Sequence, residues 1–92
     1  MSSSKTVLLV DDDAELLEML QDLLETEGYV VLPAHHGQQA LDILMTTDPD
    51  VVVLDLMMPV KSGWEVLREM RTDKALSRIP VIVITASQEA AL

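Results

Sequence analysis

The stretch Val7-Leu8-Leu9-Val10-Asp11-Asp12-Asp13 decides the fold of this chain. Four apolar residues without polar alternation, stopped by three acids, are too short for a core helix and suit a strand covered on both faces. A strand of that kind belongs to a parallel sheet with helices above and below it. The residues that follow change period accordingly. Leu16, Leu17, Leu20, Leu23 and Leu24 recur at helical spacing, with Asp12 or Asp13 available as N-cap and Gly28 as C-terminal cap. This predicts a helix over roughly 13 to 27.

The alternation then repeats. Tyr29-Val30-Val31-Leu32 is rich in β-formers and is stopped by Pro33, and Ala40, Leu41, Leu44 and Met45 mark one face of a second helix introduced by Gly37. Val51-Val52-Val53-Leu54 repeats the buried-strand signal after Asp48-Pro49, and again an acid, Asp55, follows it. Pro59 and Gly63 punctuate a loop. Val66, Leu67 and Met70 define the inner face of a third helix, Val81-Ile82-Val83-Ile84 after Pro80 forms a fourth strand, and residues 87 to 92 read as an aborted helix. The expected architecture is a doubly wound parallel α/β sheet, with right-handed crossovers placing helix 1 on one face and helices 2 and 3 on the other.

Composition narrows the function classes. With 92 residues the chain is one small domain, and 49% hydrophobic with 24% charged residues is the balance of a globular protein despite a formal net charge of -10. Sixteen acids against six basic side chains argue against direct nucleic-acid binding by this segment, because phosphate contacts need Lys and Arg. Cations or basic partner surfaces are the expected ligands. There is no Cys for disulfides or thiolate metal sites. No apolar run is long enough for a signal sequence or a membrane span, so no membrane association is expected and the cytoplasm is the default compartment.

The acids stand where chemistry is expected. In open α/β sheets ligands bind beyond the carboxyl ends of the strands. Asp11 and Asp12 follow strand 1, Asp55 follows strand 3 and Thr85 follows strand 4, so three carboxylates and a hydroxyl converge if those strands are neighbours. Crowded carboxylates repel, and at neutral pH they share protons or hold a cation. An all-oxygen donor set points to Mg²⁺, which is held by few carboxylates and keeps several waters.

Leu8-Leu9-Val10-Asp11-Asp12, Val53-Leu54-Asp55-Leu56-Met57-Met58-Pro59 and Ile84-Thr85-Ala86 together resemble three characteristic stretches of response regulator receiver domains, and Gly63 agrees with them. The resemblance implies a flavodoxin-like receiver fold with strand order 2-1-3-4. It further implies that Asp55 is the phosphoacceptor, modified by a sensor histidine kinase or phosphotransfer protein, so that the chain is a signalling domain rather than an enzyme. Mg²⁺ would be bound by the side chains of Asp12 and Asp55, the Met57 carbonyl, and Asp11 through water. Thr85 would hydrogen-bond the phosphoryl group as a switch residue, with the Ala86 N–H as a second donor.

Receiver domains continue to a fifth strand, ending in a Lys that pairs with the phosphoryl group, and to a fifth helix; on this resemblance residues 1–92 are a single receiver domain, incomplete at the C-terminus. Lys61 could approach the site, although a solvated loop position is the ordinary reading of such a side chain. Met57, two residues past Asp55, cannot orient an attacking water, which points to slow self-dephosphorylation. The apolar edge of strand 4 and the leucine stripe of helix 1 would favour marginal stability or a homodimer.

Other readings are weaker. Asp11 to Asp13 alone would be an acid-rich helix start favoured by the helix dipole. His35 and His36 are adjacent loop residues that cannot easily face one metal. Trp64, Met70 and Met57-Met58 read as core or loop packing. A nucleotide site lacks its glycines after strand 1, and an aspartyl phosphohydrolase lacks a second acid two residues after Asp55. A degenerate receiver acting only as a docking module is the remaining alternative.

Overall fold

The computed structural model describes residues 4–84, built as β1 (Thr6–Val10), α1 (Ala14–Thr26), β2 (Val30–Ala34), α2 (Gly37–Thr46), β3 (Val51–Asp55), α3 (Gly63–Thr72) and β4 (Val81–Ile84). All pairings are parallel and the sheet order is β2-β1-β3-β4. The order places β1 and β3 side by side in the middle. The segment 87 to 92 lies outside the described residues.

Side-chain alternation along the central strands divides the core in two. Leu8 and Val10 of β1 and Val52 and Leu54 of β3 pack with Ala40, Leu41 and Leu44 of α2 and Val66 and Met70 of α3. Leu9 of β1, Val31 of β2 and Val53 of β3 meet Leu17, Leu20 and Leu24 of α1 on the other face. Among the described residues α1 is the one helix on its side, opposite α2 and α3, as right-handed winding places it.

Local details refine the expected boundaries. Strand β2 continues through Pro33 to Ala34 rather than stopping before the proline. The Val30 N–H donates to the Lys5 carbonyl and the Ala34 carbonyl accepts from Asp11, so alternate residues of β2 face β1. Pro33 falls on the odd positions, with its missing N–H toward the open edge, where it breaks no ladder. In α1 the capping residue is Asp13, and Gly28, at φ 98°, closes the helix through bonds from Gly28 N–H to the Glu25 carbonyl and Tyr29 N–H to the Leu24 carbonyl.

Two apolar assignments shift. Met45 in α2 is 77% exposed, because the inner face of a ten-residue helix is already filled by Ala40, Leu41 and Leu44. In α1 Leu17 is buried, Leu16, Leu20 and Leu24 are half-buried and Leu23 is exposed. Strand β4 is an edge among the described residues, and Ile82 is 54% exposed.

Candidate functional site

Three consecutive aspartates leave β1 and take three different positions. Asp13 turns outward and caps α1, its Oδ1 accepting from the N–H groups of Glu15 (3.1 Å) and Leu16 (3.2 Å). Asp11 turns inward, 3% exposed, and its Oδ1 accepts the Asp13 N–H at 2.8 Å. Asp12 lies exposed between them. The helix-start reading of the acids is thus satisfied by Asp13 alone, which leaves Asp11 and Asp12 without that explanation.

Asp55 ends β3 and is 7% exposed. Because Val10 pairs with Leu54, the next residue of each strand brings Asp11 beside Asp55. Carboxylate oxygens of Asp11, Asp12 and Asp55 all lie within 4.8 Å of one another. The convergence expected of the three carboxylates is therefore realised in side-chain geometry.

Burial pushes the Asp11 carboxyl above its ordinary range; the Asp13 N–H opposes this, and the charges of Asp12 and Asp13 add to it. Burial likewise raises Asp55, opposed by the Met57 N–H and reinforced by the charges of Asp11 and Asp12. Such a cluster favours either protons or a cation. Its donor set fits a hard divalent cation: all oxygen, two buried carboxylates and one open to solvent, so a bound ion could keep water ligands.

The loop after Asp55 is held tightly. The Met57 N–H donates to Asp55 Oδ1 at 3.1 Å, which places the Met57 backbone against the cluster. Gly63 opens α3 directly over Asp55, and a Cβ there would lie 2.1 Å from the Asp55 carbonyl oxygen. Ser62 and Glu65 form a reciprocal capping box at the same helix start. That Ser-x-x-Glu spacing is a local sequence signal, and it is sufficient to mark where α3 begins. The Gly63 contact carries no such signal, because a close approach between chain segments has no local pattern.

The other singled-out residues fall away from the cluster. Lys61 pairs with Glu69 of α3 and its ammonium is not offered to the acids. His36 caps α2, with Nδ1 accepting the Gln39 N–H at 3.1 Å, and His35 is exposed. Met58 and Met70 are buried, whereas Met57 and Trp64 are exposed. Thr85 and Ala86 lie outside the described residues; β4, which leads to them, pairs with β3 so that Ile84 stands beside Asp55. Among the described residues no helix is long and apolar enough to cross a membrane.

A family model for the response regulator receiver domain matches residues 7–92. The phosphate regulon transcriptional regulatory protein PhoB of Pseudomonas aeruginosa is 41% identical over 85 residues, which are 92% of this chain and 37% of PhoB. The transcriptional regulatory protein CpxR of Escherichia coli is 48% identical over 80 residues, 87% of this chain and 33% of CpxR. The chain thus spans about a third of the length of these two relatives. Among solved structures, the response regulator TrrA of Thermotoga maritima, in complex with Mg²⁺-BeF, aligns at a TM-score of 0.85 with 36% identity, covering 92% of this chain and 72% of that one. The strand order and the paired acids that pointed to this fold are accounted for together: the chain belongs to the response regulator receiver domain family of two-component signalling.

Proposed function

We propose that the chain accepts a phosphoryl group on Asp55 from a phosphohistidine of a sensor histidine kinase or phosphotransfer protein. The observation that carries this reading is the convergence of the Asp11, Asp12 and Asp55 carboxylates at the carboxyl ends of β1 and β3. A carboxylate oxygen of Asp55 attacks phosphorus, the P–N bond to the donor imidazole breaks with its electron pair going to nitrogen, and an acyl phosphate remains on Asp55. The hydrogen bond from the Met57 N–H to one Asp55 oxygen orients the carboxylate and leaves the other oxygen to attack.

The residues that would hold Mg²⁺ are Asp12 and Asp55 through side chains, Met57 through its carbonyl and Asp11 through water. When bound, the ion offsets the carboxylate repulsion and the charge on the phosphoryl oxygens. The neighbour TrrA, solved with Mg²⁺-BeF, supports the choice of cation. Thr85 and the Ala86 N–H are proposed to receive the phosphoryl oxygens, coupling modification to movement of the segment after β4. A homodimer through the open β4 edge is a further proposed association, favoured by the exposure of Ile82 and Val83.

The direct test is intact mass after incubation with phosphoramidate and Mg²⁺. One phosphoryl group should add to the wild type and be released by hydroxylamine, and Asp55→Asn should stay unmodified. A wild type that gains nothing in the full natural protein would favour a docking module without phosphorylation.

A further inference from the structure

Gly37 opens α2, is buried, and has no room for a side chain. A Cβ built on it would lie 2.8 Å from the Lys61 carbonyl oxygen, 2.9 Å from Lys61 Cγ and 2.9 Å from Val66 Cγ2. The backbone does not ask for glycine here, since among the described glycines only Gly28 has a positive φ. Helix propensity also favours alanine over glycine. The requirement at this position is therefore space between α2 and the segment joining β3 to α3.

That segment is tied at its α3 end. Lys61 precedes the N-cap Ser62 and then Gly63, whose own missing Cβ lets α3 start on the Asp55 carbonyl. Lys61 is pinned to α3 through Glu69. Between Pro59 and Lys61 the chain makes a tight turn, with the Lys61 N–H donating to the Pro59 carbonyl at 2.8 Å around Val60 at φ 66°. Val60 is itself fully exposed, so the turn is held by that hydrogen bond and by its Lys61 end rather than by packing. Met57, whose N–H reaches the Asp55 carboxylate, lies inside the clamped stretch. Two residues beyond Lys61 the chain reaches Gly63, which stands against the Asp55 carbonyl, so a displacement at the Lys61 carbonyl has a short backbone path to the site.

We propose that Gly37 is a positioning residue for the Asp11, Asp12 and Asp55 site: the bare surface at the start of α2 sets where the β3–α3 segment lies, and through it the Met57 backbone and the Asp55 carboxylate. The metal half of the test rests on reading the cluster as a Mg²⁺ site, whereas the metal-free half does not. Gly37→Ala is compared with the wild type and with two controls in α2, Gln38→Ala at the adjacent exposed position and Leu41→Ala on the buried face. Amide resonances of Asp55, Leu56 and Met57 are recorded by NMR without metal and then through a titration with MgCl₂.

Gly37→Ala should move these three amides in the metal-free protein and weaken Mg²⁺ binding about tenfold, the scale on which supporting residues act on a metal site. Leu41→Ala should lower the melting temperature while leaving both readouts at the wild-type position, and Gln38→Ala should change neither. Should Gly37→Ala not fold, Gly37→Ala with Val66→Ala removes one of the three contacts and is read the same way. If Gly37→Ala only lowers the melting temperature, with the amides and the Mg²⁺ affinity unmoved, Gly37 is a packing residue and the proposal is overturned. A wild type that binds no Mg²⁺ at the cluster overturns the metal reading instead, and the metal-free amides then decide the positioning role.

Discussion

Asp55 illustrates how one side chain is made expensive to keep charged. Its carboxyl, like that of Asp11, is held above the ordinary range by burial and by neighbouring acids. A carboxyl whose folded-state pKa is raised binds its proton more tightly in the folded than in the unfolded chain. Its contribution to stability therefore falls as pH rises from the ordinary carboxylate range through the raised value, and stays lower at neutral pH. Asp55→Asn removes the charge at nearly constant shape and keeps an oxygen to accept the Met57 N–H. In EDTA at pH 7 the variant should melt at a higher temperature than wild type, and the difference should shrink as pH falls through the raised range and vanish below the ordinary carboxylate value, where the Asp side chain is neutral in both folded and unfolded chains. On the proposed Mg²⁺ site the order should reverse with MgCl₂ at pH 7, because Asp55 would be one of the ion's ligands. Thermal melts over a pH series check this; a less stable Asn variant in EDTA at neutral pH would mean the carboxylate is stabilised by the fold.

Among the elements, the two helix starts nearest the site depend on different residues. Asp13 accepts from the first-turn N–H groups of α1, so Asp13→Ala should cost about 1 kcal/mol of stability while Asp13→Asn changes little. Urea unfolding of both variants measures this, and Mg²⁺ binding should persist in each because Asp13 is not in the cluster. At α3 the determinant is the absence of a side chain. Gly63→Ala gains about 1 kcal/mol of helix propensity. It also drives a Cβ to 2.1 Å from the Asp55 carbonyl oxygen. The clash wins, and a net loss of about 3 kcal/mol or more is expected. Denaturant midpoints settle the sign: a neutral Gly63→Ala variant would show that α3 can lift away from Asp55 without penalty.

At the scale of the molecule, the described residues form a sheet with unequal edges. β2 presents Pro33 to its open side, which leaves a gap in the N–H row, whereas β4 presents the apolar run Val81–Ile84 with Ile82 and Val83 exposed. The 92-residue polypeptide is expected to associate at high concentration through this edge. Ile82→Lys should shift it toward monomer in sedimentation velocity without lowering its stability by more than about 0.5 kcal/mol, as suits an exposed position. Unchanged association in Ile82→Lys would move the contact elsewhere, with the partly covered leucines of α1 the next surface to test.

The run of apolar and acidic residues from Val7 to Asp13, repeated at Val51 to Asp55, was enough to read a parallel α/β sheet with acids at its strand ends, whereas the strand order 2-1-3-4 was implied by the resemblance to receiver domains. Period and punctuation are local properties, and a buried parallel strand announces itself by having no polar face. Gly28 and the Ala40, Leu41 and Leu44 face were legible for the same reason. Which aspartate caps α1 and which turns inward was decided only in three dimensions, because Asp11, Asp12 and Asp13 are equivalent until β1 is paired with β3 and one carboxylate is placed beside Asp55. That β2 runs on through Pro33 likewise became intelligible only from the pairing, which turns the proline's missing N–H away from β1. The closest approaches, Gly63 over the Asp55 carbonyl and Gly37 against Lys61, depend on how separate elements meet, and contacts between segments distant in sequence leave no periodic trace in it.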